Sequence, residues 1–170
     1  VPESKEPLEI AAMLQSDDPQ EREAGYQDFL TKTYWTPGAT VEDVKNLVCQ
    51  QFFVKPNKVV VSIKQIEPQI LYASQDALQY DKLKMVEAAG AHCKAQKLDL
   101  PPIAVWMLYG SPMRYIVHDG HHRTYYAYRY ATKLTAMILE PMGAYDYIEQ
   151  RLSYAFQLHK RVIDLPIVRK

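Results

Sequence analysis

Apolar and polar positions alternate in two styles along this chain, and the change falls near Lys58. Before it the spacing is helical. Leu8, Ala11 and Ala12 recur along one face between Pro7 and Leu14, which predicts a first helix. Ser16-Asp17-Asp18-Pro19 is a helix-start signal, with a proline in the first turn and acids beside it. The helix it opens runs over Glu21–Thr33, with Ala24, Phe29 and Leu30 facing a core, and Thr36-Pro37-Gly38 ends it. Thr40 then caps a third helix whose apolar stripe is Val41, Val44, Leu47 and Val48.

Beyond Lys58 short β-branched runs take over. Val59–Ile63 predicts a strand, and Lys64–Pro68 a connector. Asp81–Gln96 reads as a helix with Leu83, Val86, Ala89 and Cys93 turned inward. Pro101-Pro102 precedes a second strand, Ile103–Leu108, in which Trp106 is a core residue. Tyr109-Gly110-Ser111-Pro112 reads as a tight turn into a third strand, Arg114–His118. A helix over Thr124–Ala131, a fourth strand over Leu134–Leu139 and a closing helix over Asp146–Lys160 complete the pattern. The expected fold is α+β: a small mixed sheet flanked by helices over residues 58–170, preceded by a helical extension over 1–57.

Composition narrows the function classes. The chain has 170 residues, 48% of them apolar or aromatic, enough for one domain with a core. Lys plus Arg number 20 and Asp plus Glu number 20, so no basic excess points to DNA. Cys49 and Cys93 have no metal or redox spacing and read as buried thiols. No apolar run approaches the roughly 20 residues of a membrane span. The start at Val1-Pro2 is expected of a trimmed or processed chain; a cytoplasmic protein is favoured, with an exported, processed form as the alternative.

The chemistry concentrates at His118-Asp119-Gly120-His121-His122-Arg123-Thr124, where a strand turns sharply into a helix. A helix N-terminus presents unpaired N–H groups and the positive end of a dipole, which suits an anion such as phosphate. Gly120 permits the turn, and Arg123 offers a fork of donors. A cation at a helix N-terminus is disfavoured unless an anion accompanies it, so Arg123 itself hints at an anionic ligand. Asp119 reads as a Mg²⁺ ligand or as the group that orients an acceptor hydroxyl, or else as a helix cap. His121 and His122 read as donors to phosphate oxygens, and Thr124 as an added hydroxyl. His118, His121 and His122 also form an H-x-x-H-H cluster that suits a transition metal, though His118 alone reads as a strand residue at the core edge. Tyr125, Tyr126, Tyr128 and Tyr130 make the next helix tyrosine-dense, for packing or for stacking on a base. Lys58, Lys64 and Arg114 are candidate sources of positive charge around the site, and His92 and His159 read as structural.

Residues Lys58–Glu140 resemble the ParB/sulfiredoxin superfamily. The resemblance is carried by Ile63, Ile66 and Pro68 in the connector, by Pro101-Pro102-Ile103 and Val105 at the second strand, and by Asp119-Gly120-His121-His122-Arg123. The last group is nearest the D-G-H-x-R motif of the superfamily's free serine kinases. The resemblance implies phosphate contacts from Gly120, His121, His122, Arg123 and Thr124, and catalytic roles for Asp119 and His121. It also implies a nucleotide such as ADP or ATP with Mg²⁺, transfer to a small hydroxyl such as free serine, and a catalytic glutamate near the connector, for which Glu67 is the candidate. Sulfinic acid reduction is not expected, because a sulfiredoxin has its cysteine where His121 stands. Chromosome partitioning is not expected either, since no DNA-reading helix-turn-helix follows the motif. Three other readings stay open: a non-catalytic nucleotide-sensing or protein-interaction module, a histidine metal protein of nuclease-like or hydrolytic type, and a family member whose activity has decayed, with the core kept as a scaffold.

Overall fold

The computed structural model describes residues 5–108, 113–143, 148 and 160–169. Among them are five α-helices and a mixed five-stranded sheet, an α+β architecture. The helices are α1 (Pro7–Leu14), α2 (Pro19–Thr31), α3 (Val41–Gln51), α4 (Tyr80–Gln96) and α5 (His121–Arg129). The strands are β1 (Val59–Gln65), β2 (Leu71–Tyr72), β3 (Leu78–Gln79), β4 (Ile103–Leu108), β5 (Arg114–Asp119), β6 (Thr135–Pro141) and β7 (Ile167–Val168).

Local chemistry sets the ends of the early helices. The Asp18 side chain caps α2 by accepting from the Gln20 N–H at 3.0 Å, with Pro19 as the first helical residue. Thr40 and Asp43 form a reciprocal capping box at α3. The α3 stripe is turned from the one the sequence predicts. Val44, Val48 and Cys49 are buried, whereas Val41 and Leu47 lie largely in solvent.

The sheet order is β1-β6-β4-β5-β2. β4 pairs parallel with β6 and antiparallel with β5, while β1 is an edge strand antiparallel to β6 and β2 lies parallel to β5. The central β4 is buried along its whole length. Its alternate residues divide between two cores, as the two-residue period of a strand requires. Ala104, Trp106 and Leu108 join Ile116, Met137 and Leu139 under Val44, Val48 and Cys49 of α3. Ile103, Val105 and Met107 join Val117, Ala136 and Ile138 under Ala127 of α5 and Val162 and Leu165 near the C-terminus. A third cluster seats the α1–α2 hairpin on α4 through Ile10, Leu14, Phe29, Met85 and Val86. Residues before Lys58 therefore cover one face of the sheet and one face of α4.

Three features differ from the sequence expectation. Helix α5 starts at His121, three residues earlier than expected, so the motif forms its first turn. The pairs β2 and β3 are too short to show a period of their own. The C-terminal Ile167–Val168 forms a parallel two-residue ladder with Leu78–Gln79. The turn expected over Tyr109–Pro112 and nearly all of the helix expected over Asp146–Lys160, including His159, fall outside the described residues. Both cysteines are free and buried.

Candidate functional site

The motif lies where β5 hands over to α5. Register slips between β4 and β5: Val105 faces Val117, but Ala104 faces Asp119, so His118 is an extra residue on β5. Such a bulge re-aims the residues that follow it. Gly120 then turns the chain at φ +110° and serves as the N-cap, with no side chain capping the helix. The Thr124 N–H and hydroxyl both donate to the Gly120 carbonyl, each at 2.9 Å. The Thr124 hydroxyl is thus spent inside the turn and is not part of the cavity lining. The N–H groups of His121, His122 and Arg123 have no hydrogen-bond partner among the described residues.

Arg123 is 3% exposed and makes three hydrogen bonds within the protein. Its Nη2 donates to Asp119 Oδ2 at 2.7 Å, and its Nη1 donates to the carbonyls of Pro101 at 2.8 Å and Pro102 at 3.0 Å. Burial pulls the guanidinium below its ordinary value, and the Asp119 carboxylate opposes that pull. The anion that balances this cation is therefore internal: Asp119, at the end of β5. An internal carboxylate thus meets the need for an anion at this helix start, while Arg123 also lines the cavity described below. Arg123 positions Asp119 and ties the turn to the Pro101-Pro102 segment. The Trp35 indole also donates to the Pro102 carbonyl, at 2.8 Å.

The histidines are acceptors. The backbone N–H of Ser74 donates to His121 Nε2 at 2.9 Å, and that of Gln79 donates to His122 Nε2 at 3.0 Å. An imidazole accepting at Nε2 is neutral and carries its proton on Nδ1. Burial, with His122 and His118 as lesser contributors, lowers His121 to about 3. Burial, then Lys82 and Arg123, lowers His122 to about 4. The two rings fasten the segment between β2 and α4 to the turn, and each retains one neutral donor at Nδ1. His118 has the opposite tautomer. Its Nδ1 accepts from the Trp106 indole at 3.1 Å and its Nε2 donates to Gln51 Oε1 at 2.7 Å, while burial lowers it to about 4. The three rings do not converge as a metal centre, and no group of three ligating side chains exists among the described residues.

These shifts predict an acid-labile fold. Each histidine is neutral when folded and ordinary when unfolded, so below pH 6.5 the unfolded chain binds more protons. Stability is full above about pH 6.5 and falls as pH drops from there toward 4. Chemical denaturation between pH 7.5 and 4.5 should show the midpoint falling with acid. A midpoint that stays flat to pH 4.5 would mean that these rings are not buried neutral.

The turn opens on a cavity of about 510 Å³, within the range of small-molecule sites. One side is the motif itself, His118 to Arg123. A second is Gln75, Gln79 and the first turns of α4, where Asp81 and Lys82 stand. The third is the N-terminal hairpin, which contributes Glu6, Pro7, Phe29, Lys32 and Thr33. Helix α4 also begins without a side-chain cap, so two helix N-termini border the same space. Asp119 Oδ2 is taken by Arg123, and Oδ1 accepts from no described residue. Asp119 on the motif side and Asp81 on the α4 side are thus two carboxylates that border the cavity.

Other sequence candidates lie elsewhere. Glu67 is not brought to this cavity; it is exposed beside Gln69 and lines a separate depression with Thr132 and Lys133. Lys58, Lys64 and Arg114 are absent from the cavity wall, where Lys32 and Lys82 stand instead. Tyr125, Tyr126 and Tyr130 line another depression with Tyr80, on a different side of α4 and α5. No sequence signal placed Phe29, read only as a core residue, or Lys32 or Lys82 beside the motif, because they reach it through tertiary packing. Comparison with known proteins finds no matching family model, no matching curated protein and no matching solved structure.

Proposed function

We propose that the protein binds a nucleotide or a similar phosphorylated small molecule in the cavity at the Asp119–Arg123 turn. The observation that carries this reading is the first turn of α5. Three backbone N–H groups without partners among the described residues, and two neutral imidazoles that accept at Nε2, border a cavity of ligand size. The likeness of Asp119-Gly120-His121-His122-Arg123 to the D-G-H-x-R motif supports the same reading.

The finer proposal is phosphoryl transfer from ATP or ADP to a small hydroxyl. It is positioning and charge stabilisation that such chemistry asks of a protein. In this arrangement the α5 N–H groups and the imidazole donors receive phosphate oxygens, and Asp119, held by Arg123, and Asp81 are the carboxylates that would hold Mg²⁺. Mg²⁺ there would supply neutralisation of phosphate charge. Any base for the acceptor comes from the carboxylates on the cavity wall, since Glu67 lies elsewhere. Free serine as the acceptor rests on the motif's likeness alone.

Titration of ¹⁵N-labelled protein with ADP, with and without Mg²⁺, tests the binding site directly. The His121, His122 and Arg123 amides should move most. The reading fails if ADP, ATP and pyrophosphate leave those three resonances in place.

A further inference from the structure

Between β2 and α4 the chain has no element longer than the two residues of β3, so its position depends on what grips it from either side. One grip is the motif, through the Ser74 and Gln79 N–H groups that donate to His121 and His122. The other is the C-terminal segment. The Ala73 N–H donates to the Lys160 carbonyl and the Leu78 N–H to the Pro166 carbonyl, each at 2.8 Å. In both cases the next residue along the chain is the one that meets a histidine. Neighbouring groups of an extended backbone point to opposite sides, so each pair is held between the C-terminal segment and the motif. Arginines close the two ends. The Arg161 guanidinium lies 4.5 Å from the Tyr72 ring centroid and donates to the Tyr72 hydroxyl at 3.1 Å and to the Gln69 carbonyl at 2.6 Å. The Arg169 guanidinium lies 3.9 Å from the Tyr80 ring centroid, at the start of α4. Between them Val162 and Leu165 are buried in the core beneath α5, whereas Ile167 and Val168 are exposed. A two-residue ladder with exposed side chains is marginal alone, so the cation over Tyr80 fixes its outer end.

We propose that residues 160–169 are a strap that positions His121 and His122 at the cavity, with Arg161 and Arg169 as its positioning residues. This rests on the reading of the cavity as a phosphate-ligand site. None of residues 160–169 lines the cavity, so the strap acts on a ligand only through the segment it holds. That segment supplies Gln75 and Gln79 to the wall, and its N–H groups set where the two imidazoles sit. A wall gripped on both sides keeps its shape before a ligand arrives, and such preorganisation raises affinity without adding a contact. Loosening the strap leaves every lining residue in the chain but widens the range of arrangements they sample. His118 lies outside this linkage, because its partners are Trp106 and Gln51.

Three N–H···N hydrogen bonds serve as reporters: Ser74 to His121, Gln79 to His122, and the Trp106 indole to His118. Nitrogen–nitrogen couplings across them are measured by NMR on the ¹⁵N-labelled full chain at pH 7.5. Affinity for ADP and for pyrophosphate, each with Mg²⁺, is measured by calorimetry on the same proteins. Wild type is compared with Arg161→Ala, Arg169→Ala, the double variant and Arg169→Lys. The double variant is expected to weaken the first two couplings, to keep the third, and to bind both probes about five- to tenfold more weakly, the size of two partly exposed cation–π contacts. Each single alanine should have a smaller effect in the same direction, and Arg169→Lys, which keeps a cation over Tyr80, should stay near wild type. A double variant that keeps all three couplings overturns the inference, as does one that loses all three together, which is general loosening. Selective loss of the first two couplings with affinity within twofold of wild type also overturns it and leaves the site reading intact. Absence of wild-type binding to both probes overturns the site reading, while selective loss of the first two couplings would still uphold the strap's hold on the histidines.

Discussion

Replacing Asp119 by alanine is expected to lower the melting temperature by about 10 °C, a larger change than any loss of a surface ion pair would give. The cause lies with its partner. Arg123 is buried, and without the carboxylate its charge is left with two proline carbonyls. Breaking a buried pair from one side costs about 3–5 kcal/mol, and in a chain of this size each kcal/mol moves the melting point by about 2–4 °C. Asp119→Asn keeps an acceptor near Nη2 and should lie between wild type and alanine. Thermal melts by circular dichroism at pH 7.5 give the order. A variant Asp119→Ala that melts within 2 °C of wild type would show that the guanidinium reaches water. The same result bears on function, because Arg123→Ala would be a poor probe of ligand binding: it removes a structural tie before it removes a contact.

Gly120→Ala should be comparably harmful for a different reason. At φ +110° the backbone is in a region that L side chains avoid, and an added Cβ would lie 2.6 Å from Ile103 Cβ and closer still to its Cγ2. Backbone strain of about 1–2 kcal/mol and overpacking of about 1–3 kcal/mol add to roughly 2–5 kcal/mol. Ile103 is buried in the central strand and has little room to yield. Gly38 is the internal comparison. It has φ +84° with nothing within 4 Å of an added Cβ, so Gly38→Ala should carry the strain alone. Urea denaturation of the two variants separates the terms. Equal losses at both positions would mean that Ile103 moves aside without cost.

Much of the fold was legible in the sequence because its signals are local. Pro19 and Asp18 announce α2, Thr40 and Asp43 announce α3, and the run Ile103–Leu108 coincides with β4. The position of the β5–α5 turn was legible too, since a glycine between a strand and a helical run marks it. The roles of its residues were not. Whether Arg123 meets a ligand or an internal carboxylate depends on Pro101, Pro102 and burial, none of which periodicity reveals. The state of the histidines depends on the N–H groups of Ser74 and Gln79, more than 40 residues away in sequence. The α3 stripe failed for a related reason: helical spacing permits two neighbouring faces, and contact with Trp106 selects the one that includes Cys49. Edge strand β1 shows the limit from the other side. Its β-branched run is correctly a strand, but Val60 and Ile63 face solvent because β1 has a neighbour on one side only.

The carbonyl of Pro102 receives two donors at once, one from Trp35 and one from Arg123. With both lone pairs occupied, neither donor can shift without disturbing the other's geometry. Its ring fixes φ, so the peptide has little freedom to absorb such a shift. One oxygen on a stiff residue therefore acts as a mechanical joint. A displacement of the segment that follows α2 is transmitted to the guanidinium, and from there to the carboxylate that borders the cavity.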